Sequence, residues 1–156
     1  MERLIQDAVA YHKQGEMARA ETLYMQILDA EPSNGAALQL LGVLRTQQGC
    51  HDEAIRLIGS TLERDPANPS ALCNLSTALR GGGRLEEALK CCRKAVALQP
   101  KFVEAWFNCG VLLSDLQRYA QALECFDRTL KLQPGNSQAA HGRAMALLDL
   151  DRKSVV

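Results

Sequence analysis

Residues 103–136 read VEAWFNCGVLLSDLQRYAQALECFDRTLKLQPGN, and the pattern of this segment returns along most of the 156-residue chain. Its proline belongs to a set with a constant spacing of 34 residues: Pro32, Pro66, Pro100 and Pro134. A fixed period of about 20 to 50 residues is typical of stacked repeats, not of a single irregular core. The sequence therefore predicts an array built from a 34-residue unit.

Three further positions, counted backward from each proline, recur with the same period. We call the residues that occupy one such position in successive units a column. The column twelve residues earlier is alanine throughout: Ala20, Ala54, Ala88 and Ala122. The column 24 residues earlier holds small residues: Ala8, Gly42, Ser76 and Gly110. The column eight residues earlier holds apolar residues: Tyr24, Ile58, Cys92 and Phe126. Small residues let two helices approach closely, the apolar residue fills the space beside them, and proline ends the second helix because it lacks an N–H.

The predicted organisation is a single domain over residues 1–156. Its units are expected at 1–34, 35–68, 69–102 and 103–136, with a partial fifth at 137–156. In the third unit Leu72, Leu75 and Leu79 follow the i, i+3, i+7 spacing of a helix, and Gly81-Gly82-Gly83 breaks it. Each unit is thus expected to be helix, short turn, helix. Asparagines precede three first helices as predicted N-caps: Asn34, Asn68 and Asn136.

These columns resemble the tetratricopeptide repeat (TPR). The motifs that carry the resemblance are Leu38-x2-Leu41-Gly42, Trp106-x2-Cys109-Gly110, Ala122-x3-Phe126 and Pro134. The resemblance implies an all-α fold, a right-handed superhelical α-solenoid of antiparallel helix pairs. Three residues depart from the pattern: Ser76 replaces a glycine, Cys92 replaces an aromatic residue, and Gln117 stands where units one to three have glycine. The local sequence pattern also resembles bacterial repeat arrays, some of which precede an O-GlcNAc transferase-like region.

The composition excludes several classes of partner. Eighteen basic and eighteen acidic residues give a net charge of zero, so no basic patch indicates nucleic acid or an anionic membrane. No apolar run approaches the roughly 20 residues that span a bilayer. The first seven residues include acids and do not resemble a signal peptide, which favours a cytoplasmic location.

The six cysteines are expected to be free and structural. They are Cys50, Cys73, Cys91, Cys92, Cys109 and Cys125. No pair has CxxC spacing, and without a secretory signal a disulfide framework is not expected. Buried free cysteine behaves as a small hydrophobe. The three histidines are far apart in the sequence, so no metal site or cofactor is predicted.

No catalytic motif is present in the sequence. Gly-x-Ser-x-Gly, a phosphate-binding loop and His-Glu-x-x-His are all missing from residues 1–156. The glycines at 81–83 join two helices and follow no strand, so a turn is favoured over a phosphate site. The chain is therefore predicted not to be an enzyme.

The resemblance implies that first helices line a concave groove. The predicted peptide-binding residues are Gln39, Asn74, Thr77, Arg80, Phe107, Asn108, Val111, Asp115 and His141. Asn74 and Asn108, one period apart, form a short ladder whose amides suit the backbone of an extended peptide. The alternative is that each amide ties down a neighbouring helix. Phe107 is a candidate apolar anchor and Arg80 a candidate carboxylate contact; alternatively, both face solvent.

The sequence predicts that the chain does not bind peptides through a clamp on their C-terminal carboxylate. Chaperone-binding TPR proteins clamp a peptide's terminal carboxylate with Lys and Asn on one first helix, Asn on the next, and Lys and Arg on the third. The three registers of this chain place other residues there: Ile5, Val9, Leu40, Ser70 and Asn74; Gln39, Val43, Asn74, Glu104 and Asn108; Cys73, Thr77, Asn108, Gln138 and Gly142. No register supplies the cations.

The last predicted helix carries Leu147, Leu148 and Leu150 on a face that a second helix normally covers. We therefore expect a longer protein or self-association through this incomplete repeat. Three functions stay open: a scaffold that binds a peptide or partner segment, a recognition region of a larger enzyme such as an O-GlcNAc transferase-like glycosyltransferase, and a self-assembling structural module.

Overall fold

A computed structural model describes residues 1–155 as α-helices joined by short turns, with no strand in that range. The helices are α1 (Glu2–Lys13), α2 (Met17–Ala30), α3 (Gly35–Gln47), α4 (His51–Arg64), α5 (Pro69–Gly81), α6 (Leu85–Leu98), α7 (Val103–Asp115), α8 (Tyr119–Leu132) and α9 (Ser137–Ser154). Each helix packs on the next, and first helices also contact the first helix of the neighbouring unit. The predicted all-α solenoid of helix pairs is confirmed.

The helix starts follow the predicted capping chemistry. The side chains of Asn34, Asn68 and Asn136 accept hydrogen bonds from the backbone N–H groups of Ala37, Ala71 and Ala139. Each bond satisfies a donor that the first helical turn leaves unpaired. Pro69 occupies the first turn of α5, where its missing N–H costs nothing.

In each of the first four units, the turn between the two helices contains one residue with positive φ, at the same position of the unit. Gly15, Gly49 and Gly83 have φ of 81°, 78° and 78°, and Gln117 adopts φ 58° in the fourth unit. Glycine reaches this left-handed region without steric cost, whereas a glutamine is strained there. The left-handed backbone conformation thus recurs at this position of the unit even where the residue type changes.

The helix break predicted at the three glycines 81–83 is one residue shorter than expected. Gly81 is the last residue of α5, Gly82 caps it, and Gly83 makes the turn. Gly81 serves packing instead, because a Cβ on it would collide with the imidazole ring of His51. The turn prediction therefore holds for the last two glycines and fails for the first.

The core lies between the paired helices, where the small and bulky columns meet. A Cβ on Gly42 would lie 2.5 Å from Ile58, and one on Gly110 would lie 2.7 Å from Phe126. Close packing of this kind makes the core sensitive to single methyl groups. None of the helices within residues 1–155 combines the length and apolarity needed to cross a membrane.

Candidate functional site

The predicted binding residues concentrate where α5, α7 and α9 lie side by side. We call the surface shared by these three first helices the groove. Two pockets open into it, one between α5 and α7 and one between α7 and α9, and Phe107 and Val111 line both. Phe107 is therefore a wall common to two neighbouring openings.

The first pocket encloses about 270 Å³. Its lining is Ser76, Thr77, Arg80, Phe107, Asn108, Val111 and Leu112. Five of these are predicted binding residues; the sequence interpretation missed Ser76 and Leu112. Both fall in core columns of the repeat, and the period gives no sign that they also reach the pocket.

The second pocket is wider and more open, at about 460 Å³. It brings Phe107 and Val111 together with Ser137, Gln138, His141 and Gly142. Gly142 shares its column with Asn74 and Asn108, so the 34-residue period could have identified it. A Cβ there would lie 2.7 Å from Cζ of Phe126, so glycine keeps this part of the groove floor close to α8.

The groove floor fixes the position of Phe107. The rings of Phe107 and Phe126 are 6.0 Å apart at an angle of 54°, which is a tilted aromatic contact. Phe126 is itself buried against Gly110. The exposed edge of Phe107 is thus supported from below and needs no large rearrangement to meet a ligand.

Asn108 bridges two first helices. Its amide nitrogen donates to Sγ of Cys73 at 3.2 Å and to Oγ1 of Thr77 at 3.3 Å, both on α5. Among the described residues Asn74 makes no comparable side-chain bond and lines neither pocket. The two members of the predicted ladder therefore have different surroundings.

Arg80 and Asp115 form an ion pair across α5 and α7, with Nε 2.5 Å from Oδ2. Both side chains are partly exposed, so water screens the pair. The guanidinium that was predicted as a carboxylate contact already has a carboxylate from its own chain. The first pocket consequently carries little net charge.

Gln39 lies apart from this cluster. Its amide nitrogen donates to Oγ of Ser70 at 2.8 Å, which links α3 to α5. It lines a separate opening near Arg64 and Asn68. Six of the nine predicted residues therefore line the two pockets, and Asp115 lies beside them through its ion pair with Arg80. Gln39 and Asn74 lie outside the two pockets.

No cluster of three or more His, Cys, Asp or Glu side chains within residues 1–155 could hold a metal ion. Burial raises the pKa of the Cys73 thiol, which keeps this cysteine beneath Asn108 protonated. The surface is thus suited to recognition by shape, apolar contact and a few hydrogen bonds.

Family models match most of the chain. A tetratricopeptide repeat model matches residues 11–79, a TPR repeat model matches 77–117, and a further tetratricopeptide repeat model matches 103–136. Among curated proteins no match was found.

Solved structures of similar fold include several TPR proteins. PilF of Pseudomonas aeruginosa superposes with a TM-score of 0.87 at 25% identity, covering 99% of this chain and 70% of that one. A thermophilic TPR protein of Thermus thermophilus gives 0.84 at 21% identity, covering 97% and 83%. The first TPR of Spaghetti (RPAP3), bound to the HSP90 peptide SRMEEVD, gives 0.72 at 27% identity, covering 75% and 93%. With its 34-residue period, paired helices and matching models, this chain belongs to the tetratricopeptide repeat family.

Proposed function

We propose that this chain is a non-catalytic protein–protein interaction scaffold that holds an extended segment of a partner protein in its concave groove. The observation that carries the proposal is the pair of pockets on either side of Phe107. An extended segment that crosses α5, α7 and α9 would place one side chain in each pocket, with Phe107 between them.

The chemistry of the first pocket favours an uncharged apolar side chain. Its walls include Phe107, Val111 and Leu112, and its one charged residue, Arg80, is paired with Asp115. Burying a charge there would separate that pair or leave the charge unpaired, and both cost free energy.

Asn108 supplies a hydrogen bond to the backbone of the segment. Its amide N–H groups are directed at Cys73 and Thr77, so the group left for a ligand is its carbonyl oxygen. That oxygen would accept a hydrogen bond from a peptide N–H. RPAP3, a domain of similar fold, was solved with a bound peptide, which supports a peptide as the kind of ligand.

The test begins with peptides selected from a random linear library on the full chain. Binding of a selected peptide is then measured by fluorescence anisotropy for the native protein and for Phe107→Ala. We expect the substitution to weaken binding about tenfold or more, since removal of a central aromatic anchor typically costs over about 1 kcal/mol.

The matched control is Met25→Ala, which removes an exposed apolar side chain from α2, outside the groove. It should leave the affinity unchanged. Equal affinity of the native protein and Phe107→Ala, with helical content intact by circular dichroism, would contradict binding at this groove.

The peptide SRMEEVD provides a second, sharper comparison. Because no register supplies the cations of a carboxylate clamp, this chain is expected to show no measurable binding to SRMEEVD by the same anisotropy assay. Saturable binding that disappears when the terminal carboxylate is amidated would overturn the prediction.

A second candidate function is self-association through α9. Leu147 and Leu148 are exposed there, and apolar patches of this kind mark interaction sites. The prediction that the array serves a larger O-GlcNAc transferase-like enzyme stays a prediction.

A further inference from the structure

The two pockets of the groove differ at one position of the repeat unit. Asn108 occupies this position on α7, and Gly142 occupies it on α9, one period later. Asn108 spans the gap between α5 and α7, because its amide donates to Cys73 and Thr77 on the neighbouring helix. Gly142 has no side chain with which to span the gap between α7 and α9. The second pocket accordingly measures about 460 Å³, against about 270 Å³ for the first.

The core fixes this difference between the pockets. A Cβ on Gly142 would collide with the ring of Phe126, which is 1% exposed. A side chain could be added at this position only if a buried aromatic ring moved, and close-packed interiors resist such shifts. The wide opening between α7 and α9 therefore belongs to the packing of the array and does not depend on the rotamer of a mobile side chain.

Within residues 1–155, two rings flank the second pocket and one flanks the first. Phe107 and His141 share a column, and both line the second pocket. The member of this column on α5 is Cys73, which is buried and has no ring. Aromatic side chains pack favourably with ring centroids about 4.5–7 Å apart. An aromatic side chain of a ligand would thus meet two ring surfaces in the second pocket and only that of Phe107 in the first.

The linings of both pockets favour uncharged side chains. In the part of the chain that the structure describes, no Asp, Glu, Lys or Arg lines the second pocket, whose residues are Phe107, Val111, Ser137, Gln138, His141 and Gly142. In the first pocket Arg80 is already paired with Asp115. Because burial of an unpaired charge costs free energy, size and shape are left to distinguish the two pockets.

We propose that the groove selects a partner segment that carries an aromatic side chain for the second pocket and a smaller aliphatic side chain for the first. This inference rests on the proposed function and adds the chemical class of the segment. His141 sets the aromatic preference of the second pocket, and Asn108 keeps aromatic side chains out of the first. Packed helices lie about 8–10 Å apart and an extended chain advances about 3.3 Å per residue, so the two ligand side chains are two or three residues apart.

The test uses peptides selected from the random linear library on the full chain. We expect the selected sequences to share an aromatic residue that lies two or three residues from an aliphatic one. In a selected peptide, replacement of the aromatic residue by leucine should weaken binding about fivefold or more, because an aromatic pair contributes beyond the area that it buries. Fluorescence anisotropy measures both affinities, and their ratio is the aromatic preference.

Two protein variants assign the positions of the peptide to the two pockets. His141→Ala removes a ring from an exposed site and should lower the aromatic preference about threefold. Asn108→Ala opens the first pocket, so a library selected on this variant should accept aromatic residues at the aliphatic position. Met25→Ala, on α2 and outside the groove, should leave both results as they are in the native protein. Circular dichroism checks the helical content of each variant.

The outcomes separate this inference from the proposed function. If no peptide is selected, or if the selected peptides bind Phe107→Ala as tightly as the native protein, binding in the groove is contradicted and this inference falls with it. Peptides that need Phe107 but bind equally well with leucine in place of the aromatic residue would contradict the aromatic preference alone. So would an aromatic preference that is unchanged in His141→Ala.

Discussion

At the residue scale, two of the departures from the repeat pattern, Ser76 and Cys92, compensate each other. In unit four Gly110 leaves room for the ring of Phe126, whereas in unit three the smaller Cys92 leaves room for Ser76. Ser76 Oγ donates to the carbonyl of Cys73 at 2.7 Å and accepts from Cys92. The small residue of the first helix and the apolar residue of the second helix are therefore matched in size within each unit. This matching is not visible when each position is compared separately along the sequence.

This pairing predicts a non-additive response to substitution. Cys92→Phe alone should lower the free energy of unfolding by about 1–3 kcal/mol, because the larger ring meets the Ser76 side chain in a close-packed core. The double variant Ser76→Gly/Cys92→Phe reproduces the glycine–phenylalanine pair of unit four and should recover much of that loss. Urea unfolding of both single variants and the double variant measures the coupling. Simple additivity of the two effects would contradict the paired filling.

The same scale shows what sequence could predict of the groove. The prediction of Phe107 and Asn108 came from the resemblance, which implies that their positions in the unit face the groove, and both residues line the first pocket. The Arg80–Asp115 pair and the Asn108 bond to Cys73 were not predictable, since they depend on the distance between neighbouring first helices and not on spacing along the chain.

At the element scale, one arginine joins three helices in the first half of the array. Arg45 of α3 shares its column with Leu79, Leu113 and Leu147, yet its side chain is 16% exposed. Its Nη2 lies 2.7 Å from Oε1 of Glu21 on α2. Its Nε lies 3.1 Å from Oε1 of Glu53 on α4, without the alignment of a hydrogen bond. The acids make a charged residue tolerable in an otherwise apolar column.

This arrangement predicts a sensitivity to acid. The hydrogen bond from Arg45 lowers the pKa of Glu21 below its ordinary value of 4.5. A carboxyl with a lowered folded-state pKa contributes stability above its unfolded pKa and loses it as pH falls through the folded pKa. The native protein should therefore lose this contribution below about pH 4.5. In Arg45→Leu the free energy of unfolding should fall less steeply as the pH is lowered into the acid range. Urea unfolding at a series of pH values measures this dependence.

The control for Arg45→Leu is Arg19→Leu, which removes a highly exposed pair with Glu16. An exposed pair of this kind contributes little. Equal acid limbs for the native protein and Arg45→Leu would show that Glu21 does not carry the effect.

At the scale of the whole molecule, the array buries its first helices unequally. Within α9 only Ala139 and Ala146 are buried, whereas α5 and α7 bury five residues or more. The period predicted the start of this helix and its apolar residues. It could not predict how far each would be exposed, because that depends on which neighbours cover it.

Leu147 shows the effect most clearly. It shares its column with Leu79 and Leu113, which are 3% and 2% exposed and pack in one cluster with α6 and α8. Leu147 itself is 41% exposed, and Leu148 beside it is 53% exposed. Burial of apolar side chains contributes roughly 1.5–3 kcal/mol each. Leu147 therefore lacks the cover that Leu79 and Leu113 have, and a second molecule that packed on α9 would supply it.

We accordingly predict that this chain self-associates through α9 at high concentration. Sedimentation velocity over a concentration series should show the mean mass rising for the native protein and staying at one chain for Leu147→Gln/Leu148→Gln. Met25→Gln is the matched control, since Met25 is equally apolar and 45% exposed but lies on α2. It should associate as the native protein does. A native protein that remains a monomer throughout the series would contradict the prediction. Loss of association in Met25→Gln would point to a contact elsewhere on the array.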